Sequence, residues 1–180
     1  MAVIPLMRSK TNEVFKFKPF SMKQKKILTW WCDTSPFKDY DGIIADGAIR
    51  SGKTVAMETS FLLWAMNNFD DCDFGLCGKT IGSLRRNVVR DFKKIAVGRG
   101  YEVVENRSSK IITVSSATTT NYFHCFGGRD EASQDLIQGA TLAGVLFDEV
   151  ALMPESFVNQ ATGRCSVEGS KYWLIDSHAA

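Results

Sequence analysis

The sequence predicts one α/β domain, a largely parallel sheet held between two layers of helices. Three observations predict it. Short apolar runs of strand length (GIIA at Gly42–Ala45, DFGLCG at Asp73–Gly78, VLF at 145–147) alternate with stretches of helical periodicity. The first run passes through a glycine-containing loop directly into a helix. The third ends in two adjacent acids, Asp148 and Glu149. At 180 residues the chain has room for one well-buried core and is short for two.

Composition narrows the class. Hydrophobic residues make up 44% and charged residues 23%, the balance of a soluble globular protein. The net charge of +2 permits nucleic-acid contact without arguing for it. No apolar run reaches the roughly 18 residues of a membrane span, and residues 1–18 turn charged too early for a secretory signal. The five cysteines are scattered without a C-x-x-C pair, which reads as reduced thiols in a cytosolic protein.

In chain order, residues 1–18 form a basic arm or edge strand in which Phe15 and Phe17 alternate with Lys16 and Lys18. Residues 20–31 read as a helix, with Ser21 as N-cap and Ile27, Trp30 and Trp31 at helical spacing. After GIIA, residues 47–54 read GAIRSGKT, a full match to G-x-x-x-x-G-K-[ST]. In this phosphate-binding P-loop, Gly47 and Gly52 let the backbone curl, so that Gly47, Ala48, Ile49, Arg50, Ser51 and Gly52 turn N–H groups towards a polyphosphate. Lys53 brings a cation to the β- and γ-phosphates, and Thr54 offers a hydroxyl to Mg²⁺. The helix over residues 53–67 sets its N-terminus under the phosphates. Phe20 and Gln24 look like the adenine-reading segment found before the P-loop of many nucleic-acid motors. The competing reading of Gln24 is a surface residue on an amphipathic helix.

Further on, residues 79–97 predict a helix burying Leu84, Val88, Val89, Phe92 and Ile95. Its other side carries Arg85, Arg86, Arg90, Lys93 and Lys94, either a solvated face or a track for DNA phosphates. Residues 101–114 predict a hairpin turning at 107–109, and 121–126 a strand closed by Gly127 and Gly128. Residues 129–138 read as a short polar helix. His124 lies in an alternating pattern and reads as structural. The only other histidine is His178.

The acidic pair completes the site. Asp148, last in its strand, is placed to hold Mg²⁺, and Glu149 to act as general base on the attacking water. A GTPase reading is disfavoured, because neither N-K-x-D nor D-x-x-G occurs at the required place. The DE ending points to a RecA-like ATPase, with an additional strand between the P-loop strand and the acidic strand and a catalytic Glu. Arg50, inside the P-loop, is placed to reach a γ-phosphate in cis. Arg164, after the helix over 154–162, is a candidate for nucleotide sensing or for contact with a neighbouring subunit. Their alternatives are a loop arginine and a helix C-terminal cation.

The ordered set FSMKQKKILTWW, DGAIRSGKT, GKTIGSLRRNV, FGGRDEASQDLIQGAT, LFDEVALMP and RCSVEGSKYW resembles the large subunit of tailed-phage terminases, as found in prophages of Gram-positive bacteria. The resemblance spans roughly residues 15–173. It implies an N-terminal RecA-like ATPase domain of a DNA-packaging motor, using ATP and Mg²⁺. It gives Gln24 the adenine, Lys53 and Thr54 the phosphates and metal, Asp148 the metal, Glu149 the base and Arg50 the cis arginine. In some members that arginine falls one residue earlier, at Ile49 here. Implied partners are double-stranded DNA, the small terminase subunit, the portal protein and ring neighbours of the same chain, in the host cytoplasm and transiently at the procapsid portal, with no membrane. The expectation for 174–180 is an atypical, truncated tail with no nuclease domain following. Alternatives are a helicase-like DNA-remodelling ATPase and a nucleotide-binding remnant without turnover.

Overall fold

The computed structural model describes residues 19–48 and 51–177, with the side chain of Glu131 left aside. The arm at 1–18, Ile49, Arg50 and His178 lie outside the described residues. In chain order the elements are α1 (Met22–Thr29), β1 (Gly42–Ala45), α2 (Lys53–Asn68), β2 (Asp73–Gly78), α3 (Ile81–Leu84), a π turn (Arg85–Val89) and α4 (Arg90–Gly98). The hairpin β3 (Glu102–Asn106) and β4 (Ile111–Ser115) is followed by β5 (Thr120–Gly127), α5 (Glu131–Gln138) and β6 (Gly144–Asp148). A 3₁₀ turn (Val150–Leu152), α6 (Glu155–Gly163) and β7 (Lys171–Ile175) complete them.

The strands form one sheet in the order β1-β7-β6-β2-β5-β4-β3. The first five run parallel, and β4 and β3 add an antiparallel edge. Strand alternation sorts the core into two layers. Phe74 and Leu76 of β2, Leu146 of β6, and Trp173 and Ile175 of β7 pack with α1, α2 and α4. Cys77, Val145, Phe147, Tyr172 and Leu174 face the other way, towards α5 and α6. The α/β three-layer expectation is met.

Local chemistry explains the element ends. Ser21 and Gln24 close a reciprocal capping box on α1. The buried Asn121 on β5 donates to the carbonyls of Ala65 and Phe69 and accepts from Cys72 N–H, tying the end of α2 to the start of β2. At the start of β6, a Cβ on Gly144 would lie 2.6 Å from the Trp64 ring, so only glycine lets α2 sit this close to the sheet.

Two elements differ from the sequence reading. The helix expected over 79–97 is interrupted at Arg85–Val89, where Arg90 N–H reaches back five residues to the Arg85 carbonyl. Leu174 and Ile175, set with the tail, complete β7 between β1 and β6, and Ile175 is buried. The basic helix is also partly neutralised. Arg85 and Lys93 meet the two oxygens of Glu105 on β3 at 2.6 and 2.5 Å, while Arg90 pairs with Asp91 at 3.3 Å. The two contacts to Glu105 hold its carboxyl below the usual carboxylate range, the Lys93 hydrogen bond most of all. All five cysteines are free thiols. Among the described residues no helix is long and apolar enough to cross a membrane.

Candidate nucleotide site

The site forms at the C-terminal ends of the parallel strands, where such sheets hold ligands. Ala45 of β1 and Asp148 of β6 both pair with Ile175 of the intervening β7. They stand level across the sheet and about 9–10 Å apart, two strand spacings. The P-loop starts two residues past Ala45, at Gly47, and Glu149 lies one residue past Asp148.

Gly52 takes φ +75°, in the left-handed region, and forms the N-cap of α2 without a side-chain cap. A Cβ there would also lie 2.6 Å from the Gln24 amide nitrogen. The 16-residue α2 therefore presents uncapped N–H groups, an arrangement suited to an anion. Lys53 is 7% exposed, and its Nζ donates to the Gly47 and Ala48 carbonyls at 2.8 and 2.9 Å. The cation is thus folded inside the loop, and phosphate oxygens are suitable replacements for those carbonyls. Thr54, second in α2, is half-buried. The fit to a polyphosphate is direct.

Gln24 is brought to the loop as well. Its Nε2 donates to the Ser51 carbonyl at 3.2 Å, and its Oε1 accepts from Ser21 N–H at 2.9 Å. The amide ties α1 to the P-loop. Phe20 beside it is half-buried.

Asp148 is 5% exposed, and its Oδ2 accepts from Asn87 Nδ2 at 3.2 Å. Burial pushes its carboxyl up to about 6; the Asn87 hydrogen bond opposes the rise and the Glu149 charge adds to it. A buried carboxylate beside a second acid is suited to a cation such as Mg²⁺. Glu149 adopts φ 55° and ψ 57°, a left-handed conformation uncommon for a residue with a side chain. The backbone reverses there and enters the 3₁₀ turn.

Arg164 is not brought to this site. It is exposed at the end of α6, and its carbonyl accepts from Leu142 N–H at 2.9 Å. Leu142 precedes β6, roughly 20 Å of extended chain before Asp148. His124 shares a hydrogen bond with Asp73 across 2.6 Å. That pair lines a cavity of about 920 Å³ beside the β3–β4 turn and α5, which includes none of the P-loop residues.

Two residues at the site escape sequence reasoning. Asn87 carries no motif. Glu58 lies one turn after Thr54 on α2, fully buried, and both carboxyl oxygens lack a hydrogen-bond partner among the described residues. Burial raises its pKa well above the ordinary value, and the charges of Asp91 and Asp148 raise it further. Between the unfolded value near 4.5 and the raised folded value, the native state holds a proton that the unfolded chain releases. Stability therefore falls as pH rises through that window. Glu58→Met is expected to stabilise the chain by about 1–3 kcal/mol at pH 8, less as pH approaches 4.5. Urea unfolding at several pH values checks this, and a destabilised variant at pH 8 would contradict it.

A P-loop, an acidic pair one strand removed and a parallel sheet between helices define the class: a RecA-like P-loop domain. No protein-family model and no curated protein matches the chain. Among solved structures, the large terminase of a thermophilic bacteriophage is 58% identical over 88% of this chain and 39% of its own, with TM-score 0.86. The same terminase in complex with ATP-γ-S is 54% identical over 88% of this chain and 38% of its own, with TM-score 0.81. The HK97 bacteriophage large terminase shares the fold at 13% identity, over 93% of this chain and 35% of its own, with TM-score 0.67. The chain belongs to the phage large terminases and corresponds to their N-terminal ATPase domain. It spans about two fifths of the length of the thermophilic phage's protein.

Proposed function

We propose that this chain binds ATP with Mg²⁺ and hydrolyses it to ADP and phosphate, as the ATPase part of a DNA-packaging motor. The observation that supports the reading is β7 lying between β1 and β6, so that the strand leading to the P-loop and the strand ending in Asp148 finish level at one end of the sheet. The thermophilic-phage relative, crystallised with ATP-γ-S, supports the choice of nucleotide.

In this reading Lys53 exchanges its two loop carbonyls for phosphate oxygens, and the N–H groups at the start of α2 hold the same polyphosphate. Thr54 and Asp148 are the residues that would hold Mg²⁺, which supplies neutralisation of the β- and γ-phosphate charge. Glu149 takes a proton from the attacking water as the water oxygen bonds to the γ-phosphorus and the bond from that phosphorus to ADP breaks. Arg50 offsets γ-phosphate charge in cis, and Gln24 turns its amide to the adenine edge. In the intact protein, hydrolysis drives double-stranded DNA through the portal into the capsid, with the small terminase subunit and ring neighbours as partners.

Phosphate release from ATP with Mg²⁺ tests the reading, alongside equilibrium binding of ATP-γ-S. The parent chain should turn over. Lys53→Ala should lose at least about tenfold in binding, because it removes a buried charge-assisted contact to phosphate. A parent that binds nucleotide independently of Lys53 would refute the assignment of the loop.

A further inference from the structure

From the contact between the π turn and the end of β6, we infer that Asn87 is a positioning residue for the Mg²⁺ site: its amide sets the orientation of the Asp148 carboxylate. The inference rests on the proposed ATPase reading and adds to it a residue that no motif marks.

The helix geometry isolates Asn87. In an uninterrupted α-helix it would stand three residues after Leu84, on the side that carries the apolar stripe. One extra residue in the turn rotates the following helix by about 100° relative to a regular one. Val88 and Val89 are both buried, whereas Asn87 is exposed and reaches Asp148. Such π turns frequently mark functional sites in otherwise regular helices.

The contact also has a defined consequence at the carboxylate. Asp148 ends its strand, and the backbone reverses at Glu149 immediately afterwards. One hydrogen bond at Oδ2 therefore selects the plane of the carboxyl group and leaves Oδ1 for a metal. The turn that carries Asn87 is itself anchored. Arg85, two residues earlier, and Lys93 on α4 are fixed to Glu105 of β3. A displacement of the basic helix by a bound partner would move Asn87 and change how Asp148 presents its oxygen.

The test is a Mg²⁺ titration of ATP-γ-S binding for the parent, Asn87→Ala and Arg86→Ala, with binding in EDTA and thermal unfolding measured in parallel. Arg86 is exposed in the same turn and controls for loss of surface charge. Loss of a residue that orients a metal ligand typically weakens metal affinity about 10–100-fold. Asn87→Ala should shift the Mg²⁺ midpoint upward by that factor, with EDTA binding and thermal midpoint unchanged, while Arg86→Ala matches the parent. An unchanged Mg²⁺ midpoint in Asn87→Ala overturns the inference, as does an equal loss of affinity with and without Mg²⁺. If the parent shows no Mg²⁺-dependent nucleotide binding, the ATPase reading itself fails, and the parent curve alone reveals that.

Discussion

Glu149→Gln will bind ATP-γ-S as the parent does and release phosphate about 100- to 10,000-fold more slowly, the usual contribution of a positioned general base. The amide keeps the size of the side chain and removes its capacity to take a proton. Position 149 allows such a separation. Its backbone is held left-handed between the end of β6 and the 3₁₀ turn, so the side chain leaves the sheet at a fixed angle beside Asp148. Neither the Lys53 contacts nor the N-terminus of α2 depends on it. Single-turnover phosphate release paired with equilibrium binding reads both quantities. A variant that hydrolyses at the parent rate would move the base elsewhere, whereas loss of binding would make Glu149 a structural residue.

Trp173→Ala will cost about 3–5 kcal/mol, a large share of the roughly 5–15 kcal/mol that holds a domain together. Trp173 is fully buried at the centre of the sheet face. Its ring lies 4.7 Å from Trp64, 5.0 Å from Trp30 and 5.1 Å from Phe61, all centroid to centroid. Its Nε1 donates to Ser60 Oγ at 3.1 Å, and that hydroxyl donates in turn to the Ile27 carbonyl at 2.7 Å. The indole therefore joins β7, α2 and α1, the elements around the P-loop. Because β7 spaces the P-loop strand from the acidic strand, nucleotide affinity should fall together with stability. Trp173→Phe keeps most of the apolar volume and should lose less on both counts. Urea unfolding of the two variants checks the order, and an alanine variant within about 1 kcal/mol of the parent would show that the cavity collapses at little cost.

Much of the candidate site was legible in the sequence because its residues are neighbours along the chain. Lys53, Thr54 and the two glycines follow one another along a single loop, and residue type with spacing specifies what they can hold. Asp148 and Glu149 announced themselves at the end of an apolar run for the same reason. The strand β7 was harder to read. LIDS after KYW resembles a tail until Leu174 and Ile175 are seen paired on both sides. The basic helix was ambiguous too, since nothing in RRNVVRDFKK states that Glu105 on the next strand neutralises Arg85 and Lys93.

By itself, the sequence determined the α/β class and the pattern of a P-loop, because strand and helix periods and P-loop spacing are properties of neighbouring residues. The sequence also led to an additional strand between the P-loop strand and the acidic strand. Only the tertiary structure decided that this strand is β7, that Arg164 stands at the far end of β6, and that Asn87 touches Asp148. The Asn87 contact joins residues 61 positions apart. It depends on a one-residue irregularity in helix phase and on the packing of α4 against the sheet, neither of which is written in any short stretch of chain.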